Sequence, residues 1–420
     1  MALLARARRV VPGASQTLSK SPQMFVEGAY PAFLERGSGC RVWDVDGHEY
    51  VDYILGLASI TLGYGYPAVV EAVAAQARQG SIFSLPHPLE VEVAERLTQL
   101  IPCAEMARFL KTGSEANAAA VRVARAATGR DVIATCGYFG WHDWYAVTTP
   151  RSKGIPKSAG ELIAPFAYND LPSLEAALEQ HRGRVAAVMM EPVLLDAPEP
   201  GFLEGVKAAA HRHGALLVFD EIVSGFRWAP GGAQEYFNVV PDLATFGKGM
   251  ANGLPLAAVV GRAELMREFE DVFVSSTFGG DTLALAAARA TLEEYARQPV
   301  IEHLWTIGRR FQEGFRRAAE RARVPVECVG YPVHPKIVFA AEREEAQRLL
   351  MSLFLQETAR RGVLFHFAGF NVSFSHREAD VDQTLEACAE ALGVVAQALG
   401  DGRIAERLEG KPYSEAFRRT

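Results

Sequence analysis

Asp220 and Lys248 each close a short apolar stretch, and a carboxylate facing an amine is a pairing that can do chemistry. The run Ala215-Leu216-Leu217-Val218-Phe219 ends on Asp220-Glu221, and the stretch from Pro241 to Phe246 ends on Gly247-Lys248-Gly249. Continuous apolar runs bounded by turn residues read as strands buried on both faces. Side chains at the carboxyl ends of such strands enter the crevice where open α/β sheets hold ligands. A lysine amine there can hold pyridoxal 5'-phosphate as a Schiff base. An acid beneath the ring can keep the pyridine nitrogen protonated, so that the ring serves as an electron sink. The plainer readings are a solvated loop lysine and a carboxylate that caps a helix, since structural pairs also populate such positions.

Other residues extend the same chemistry. Thr112-Gly113-Ser114 falls between a strand and an alanine-rich helix, where backbone N–H groups, a glycine and a hydroxyl can cup a phosphate or simply cap the helix. Tyr138 opens an aromatic loop, Tyr138-Phe139-Gly140-Trp141-His142-Asp143-Trp144, and its ring can lie flat on a planar cofactor or pack in the core. Ile222 stands two residues past Asp220, so in an extended chain both side chains share one face. Ser275-Ser276-Thr277-Phe278-Gly279-Gly280 forms a second anion cup that one phosphate would not require from the same chain. The histidines show no metal-ligand spacing, and His211 and His213 suit a helix C-terminus.

The elements that must position these groups follow from periodicity. Met1–Val11, with Arg6, Arg8 and Arg9, predicts a short amphipathic helix rather than a transit peptide. Residues 14–30 read as an extended arm. Alternation from Ala32 to Tyr53 with Asp46-Gly47 in its middle predicts a hairpin. Helical periodicity at Pro67–Gln79 and Leu89–Leu100 leads into alternating strands and helices from Arg108 to Val260. That spacing predicts an α/β fold with a mostly parallel sheet covered on both faces. The stretch from Asp281 to Arg323 reads as helical. Lys336–Ala340, Phe365 and Val372–Phe374 then suggest a small sheet under helices at Glu344–Arg361 and Ala379–Leu399, before a polar tail. The expected organisation is an N-terminal helix, arm and strands over residues 1–45, a large domain over 46–300 and a smaller α+β domain over 301–420.

Composition sets outer limits. The chain has 420 residues, 49% of them hydrophobic and 22% charged, with net charge −7. That balance fits an acidic globular enzyme and argues against a general nucleic-acid binder. The 5 cysteines are dispersed without a CxxC pair, which argues against a disulfide framework or zinc site and fits a reducing, cytoplasmic setting. No apolar run has the length of a membrane span.

Taken together, these motifs resemble the class III aminotransferases of fold type I, and within them the glutamate-1-semialdehyde 2,1-aminomutase branch most nearly. The resemblance runs from Arg8-Arg9-Val10-Val11-Pro12-Gly13 through Trp43-Asp44-Val45-Asp46-Gly47 and Gly113-Ser114-Glu115-Ala116. It continues through Asp220-Glu221-Ile222-Val223-Ser224-Gly225-Phe226-Arg227 and Pro241-Asp242-Leu243 to Gly247-Lys248 and Thr277-Phe278-Gly279-Gly280. It implies that Lys248 is the Schiff-base lysine and proton shuttle, and that Asp220 pairs with the pyridine nitrogen. Gly113 and Ser114 would hold the phosphate, with Tyr138 and Ile222 on the two ring faces. Thr277 would reach the phosphate of a neighbouring subunit, in a homodimer with shared sites.

The substrate side departs from that pattern. Asp196 stands where the aminomutase branch has an asparagine, and Lys20 where it has a carboxylate-binding arginine. Ala368 replaces a glutamate, the Tyr-His-Gly triplet is Tyr138-Phe139-Gly140, and no arginine lies between Gly362 and His376. Lysine is a poor substitute for a bidentate clamp. The resemblance therefore implies a transaminase with an amino-acid donor, L-glutamate by family habit, and an aldehyde or ketone acceptor such as a sugar or aminocyclitol. An aminomutase, a decarboxylase or racemase, and a non-catalytic scaffold are the rivals.

Overall fold

The computed structural model describes residues 2–414. Contacts divide the chain into two units, one running up to Tyr66 and resuming at Glu302, the other spanning Pro67 to Ile301. The expected polar tail lies outside the described residues beyond Ser414; before that point Ala405–Arg407 makes a 3-10 turn.

The first unit opens with the predicted amphipathic helix, Ala2–Val10, none of whose residues is buried. Residues 14–30 are not an extended arm. Together with Pro12–Ala14, Leu18–Lys20 and Pro22–Met24 form 3-10 turns, two of them started by prolines whose fixed φ suits a first helical position. Strands β1 (Leu34–Ser38), β2 (Arg41–Asp44) and β3 (Glu49–Asp52) form an antiparallel meander. Asp44 sets the β2–β3 turn: its Oδ1 accepts the N–H groups of Asp46 and His48 at 3.0 and 2.9 Å. Beyond β3, Leu55, Gly56, Leu57 and Ala58 take φ values of 50, 60, 61 and 70°, a left-handed turn that β-carbons oppose. Asp52 anchors it by accepting the N–H groups of Ile54 and Leu55 and the Tyr64 hydroxyl.

The second unit carries the β/α alternation. Its strands are β4 (Met106–Leu110), β5 (Val132–Cys136), β6 (Ile163–Pro165), β7 (Val185–Met190), β8 (Leu216–Asp220), β9 (Leu243–Phe246) and β10 (Ala257–Gly261). They form one sheet in the order β4-β10-β9-β8-β7-β5-β6. Neighbours from β9 through β6 are parallel, and β10 lies antiparallel to both β9 and β4. Every residue of β5, β7, β9 and β10 is buried, as their nearly continuous apolar runs, broken only by Thr135 and Thr245, require. The helix Gly113–Thr128 packs its alanines and valines on this sheet, in a core with Ile133, Ala187, Val218 and Val259.

Back in the first unit, β11 (Val326–Tyr331) and β12 (His334–Phe339) pair as a hairpin, while β13 (Val363–Leu364) joins β3 in parallel. Val372–Phe374, expected as a strand, is not one. The N–H groups of Asn371 and Phe374 donate instead to the carbonyls of Tyr53 and Thr61, so the alternating side chains lie on irregular backbone. No helix among the described residues is long and apolar enough to cross a membrane.

Candidate active site

Asp220 is the last residue of β8 and is 4% exposed. A carboxylate so placed needs donors. Its Oδ1 accepts the Ile222 N–H at 2.9 Å and its Oδ2 accepts the Asn117 amide at 2.7 Å. Asn117 Oδ1 in turn accepts the Thr245 hydroxyl at 2.7 Å, and Thr245 is the register partner of Asp220 on β9. Because a carboxylate only accepts, this chain fixes which way the Asn117 amide faces. Burial, and then the negative charge of Glu191, push the Asp220 carboxyl up to about 7. The Ile222 N–H, Asn117 and Lys248 pull the other way. Such an acid is poised to take a cationic partner.

The adjoining Glu221 does different work. It is fully buried and accepts the Ser224 hydroxyl and the N–H groups of Ala233 and Gln234, tying the turn after β8 to the next helical turn.

Lys248 follows β9 and Gly247 at φ +29°, a conformation that costs a side-chain-bearing residue about 1 kcal/mol or more. Burial lowers the affinity of its amine for a proton. The charges of Glu191 and Asp220 raise it, and that of the buried Arg227 lowers it again. The amine thus lies within electrostatic reach of two acids and one fixed cation.

The helix at 113–128 begins with Thr112 as its cap. Thr112 Oγ1 accepts the Glu115 N–H, and Glu115 Oε2 accepts the N–H groups of Lys111 and Thr112. The cap is therefore Thr112, not Ser114, and the N–H groups of Gly113 and Ser114 are left as the unsatisfied donors of the first turn. The aromatic loop closes over them. The Trp141 N–H donates to Ser114 Oγ at 3.3 Å, and a Cβ on Gly140 would lie 2.0 Å from that oxygen. Only glycine, here at φ +94°, permits this approach.

Ile222 is not in extended chain: the Asp220 carboxylate captures its N–H and bends the backbone into a turn. Its side chain is nonetheless the wedge of the site. A Cβ on either Gly113 or Gly247 would meet Ile222 Cδ1 at 3.1 Å. Tyr138 is 50% exposed, edge-on to Tyr145 at 5.8 Å, and its N–H donates to Glu191 Oε1 at 2.7 Å. Phe139, in the place of the usual histidine, is fully buried against Trp144 and Tyr145.

Asp220, Lys248, Gly113, Ser114, Ile222 and Tyr138 thus come together. Thr277 lies exposed on the turns before Thr282–Arg297, and Asp196 lies exposed beyond β7; among the described residues no hydrogen bond or ion pair ties either to the cluster. Lys20 belongs to the first unit, exposed at the end of a 3-10 turn. Asn117, Thr245 and Glu191 were not picked out from sequence. Two carried a signal: Asn117 is a polar residue within an alanine-rich helix, and Glu191 is an acid immediately after a strand. Asn117→Ala strands both Asp220 Oδ2 and Thr245 Oγ1. We expect it to cost about 3 kcal/mol, read as a lowered thermal unfolding midpoint of the cofactor-free protein.

The aminotransferase class-III family model matches residues 25–392, and the chain belongs to that family. It is a pyridoxal-phosphate-dependent transaminase of fold type I. A 3-aminobutyryl-CoA aminotransferase of Cloacimonas acidaminovorans (strain Evry) is 38% identical over 95% of this chain and 98% of its own. A glutamate-1-semialdehyde 2,1-aminomutase of Syntrophobacter fumaroxidans is 36% identical over 92% and 95%. The solved PLP internal aldimine form of the FumI protein of Sphingopyxis sp. MTA144 superposes with a TM-score of 0.90, at 29% identity and 98% coverage of both chains.

The residues present fit that cofactor. A glycine-lined helix start offers free donors to a phosphate, a buried acid wants a cation, and a partly buried amine stands within reach of that acid's charge. Among the described residues no cluster suits a metal ion.

Proposed function

We propose that the protein transfers an amino group from an amino-acid donor, L-glutamate, to an aldehyde or ketone acceptor that presents no free carboxylate to the site. When bound, pyridoxal phosphate supplies an electron sink for the carbon that loses its proton. Lys248 Nζ would hold the cofactor and would serve as the base that takes the proton from the donor's α-carbon and, in the second half-reaction, supplies one to the acceptor carbon. Burial lowers the proton affinity of its amine, which is the direction a general base needs. Asp220 holds the pyridine nitrogen protonated, and Asn117 and the Ile222 N–H hold Asp220. Gly113 and Ser114 bind the phosphate, and Tyr138 and Ile222 confine the ring between them.

The observation that carries the cofactor assignment is the buried Thr245–Asn117–Asp220 chain, ending in an acid within electrostatic reach of the Lys248 amine. The acceptor assignment rests on sequence: Lys20 replaces a clamp arginine and residues 362–376 contain none. The Cloacimonas relative is named for 3-aminobutyryl-CoA, whose carboxyl is held as a thioester, which supports an acceptor with a masked or absent acid. Sugar and aminocyclitol carbonyls share that property. Lys20 and Asp196 are the substrate-side candidates that the sequence offers.

Thr277 serves the phosphate of a second copy, and the enzyme works as a cytoplasmic homodimer. The exposed Ile82, Phe83, Phe273 and Phe278, all on the second unit, support an apolar interface there.

A panel of acceptors with L-glutamate, scored by 2-oxoglutarate release, tests the reading. Oxoacyl thioesters and neutral aldehydes or ketones should exceed ω-keto acids by at least about tenfold in kcat/KM, and the reverse order would sink it. The aminomutase relatives favour a second reading. Conversion of glutamate 1-semialdehyde to 5-aminolevulinate with no added donor or acceptor would establish it instead.

A further inference from the structure

Glu191 follows β7 directly, in the position that Asp220 occupies at the end of β8. Its N–H donates to the Cys136 carbonyl at 3.1 Å, and its Oε1 accepts the Tyr138 N–H at 2.7 Å. Gly137 lies between those two contacts at φ +131°, where a Cβ would stand 2.8 Å from Glu191 Oε1 and 3.0 Å from its Cγ. The carboxylate therefore rests on bare backbone at the base of the aromatic loop. The other end of the same loop closes over Ser114 through Gly140 and Trp141. One side chain thus holds the loop that shapes both the ring face and the phosphate cup.

We propose that Glu191 is a positioning residue of the transamination site, fixing the backbone at Tyr138 and setting the charge that faces Lys248. This rests on the assignment of Lys248 and Tyr138 to the cofactor. The groups whose charges act on the Lys248 amine are Glu191, Asp220 and Arg227. Those on which Glu191 acts are Asp220, Lys248, Cys136 and Tyr138. Its negative charge favours the protonated amine and disfavours an ionised Asp220. Removing that charge lets Lys248 lose its proton at lower pH.

Glu191→Gln keeps an acceptor oxygen for the Tyr138 N–H but discards the charge, whereas Glu191→Ala discards both. In the cofactor-free protein, the pH of half-maximal acylation of Lys248, followed by peptide mass spectrometry, should fall by about one unit in both variants. Hydrogen exchange at the Tyr138 amide should accelerate roughly tenfold or more in Glu191→Ala and stay slow in Glu191→Gln. The dissociation constant for pyridoxal phosphate should rise about tenfold in Glu191→Ala. An unmoved acylation midpoint in Glu191→Gln overturns the proposal even if Glu191→Ala does not fold, and so does unchanged Tyr138 exchange in a folded Glu191→Ala. Borohydride reduction of the wild-type protein with pyridoxal phosphate should leave a pyridoxyl adduct on Lys248. Its absence overturns the cofactor assignment itself, and the role of Glu191 with it.

Discussion

Lys248→Ala should lower kcat for transamination by roughly 10⁵-fold, the scale of losing a group that both bonds and moves protons. Three properties of the position make the loss specific. Its amine is held away from full hydration, which weakens its hold on a proton, and Asp220 and Glu191 keep it from being expelled as a bare cation in an apolar wall. No neighbour duplicates it, because the other cation acting on it is Arg227, and guanidinium stays protonated at any working pH. For the same reason Lys248→Arg should be as inactive as Lys248→Ala. The backbone adds a separable effect. At φ +29° any β-carbon is strained, so Lys248→Gly should be more stable than Lys248→Ala by about 0.5–1 kcal/mol while equally dead. Steady-state rates and thermal midpoints on the two variants separate chemistry from strain. Turnover within tenfold of wild type in Lys248→Ala would remove the residue from the mechanism.

Asp220→Asn should cost about 10³-fold in kcat, because an amide cannot balance a protonated ring nitrogen. It should also stabilise the cofactor-free protein, with a definite sign in pH. The Asp220 carboxyl is raised from the 3.8 of a free side chain to about 7. Between those values the folded state keeps a proton that the unfolded chain has released, so stability falls as pH rises through that window and stays lower above it. Asparagine is indifferent to pH. Asp220→Asn should therefore raise the cofactor-free midpoint by about 2–4 °C at pH 8 and leave it nearly unchanged at pH 4. Saturating pyridoxal phosphate should reverse the order at pH 8, since wild type then gains a cation for its buried charge. An equal midpoint difference at both pH values would show that the carboxyl is not perturbed.

Much of the architecture was legible because burial writes itself into strands. β7 is an uninterrupted apolar run, β5, β8 and β9 are apolar but for Thr135, Asp220 and Thr245, and the Asp46-Gly47 turn announces the β2–β3 hairpin. What escaped is tertiary. The antiparallel direction of β10 leaves no trace in its own residues, since its apolar run reads the same either way. Val372–Phe374 has a strand's alternation, but its neighbouring amides are claimed by distant carbonyls at Tyr53 and Thr61. β11 was missed because exposed and half-buried positions interrupt its pattern. Within the site, Asp220 and Lys248 stood out by type and place, whereas the partner of Asp220 could not. Asn117 meets it only because the 113–128 helix packs against β8 and β9. Ile222 was assigned to its face by a two-residue period, and the side chain of Asp220 itself broke that period.

That isoleucine has an evolutionary consequence. Its terminal methyl fills the room that a side chain at either glycine would need, so three positions far apart in sequence share one parcel of space. Substitution at Gly113 or Gly247 alone meets Ile222, and trimming Ile222 alone leaves a hole beside both glycines. Variation at either glycine therefore requires Ile222 to shift by a few tenths of an ångström, and alanine at Gly113 or Gly247 should be better tolerated beside Ile222→Val than beside Ile222.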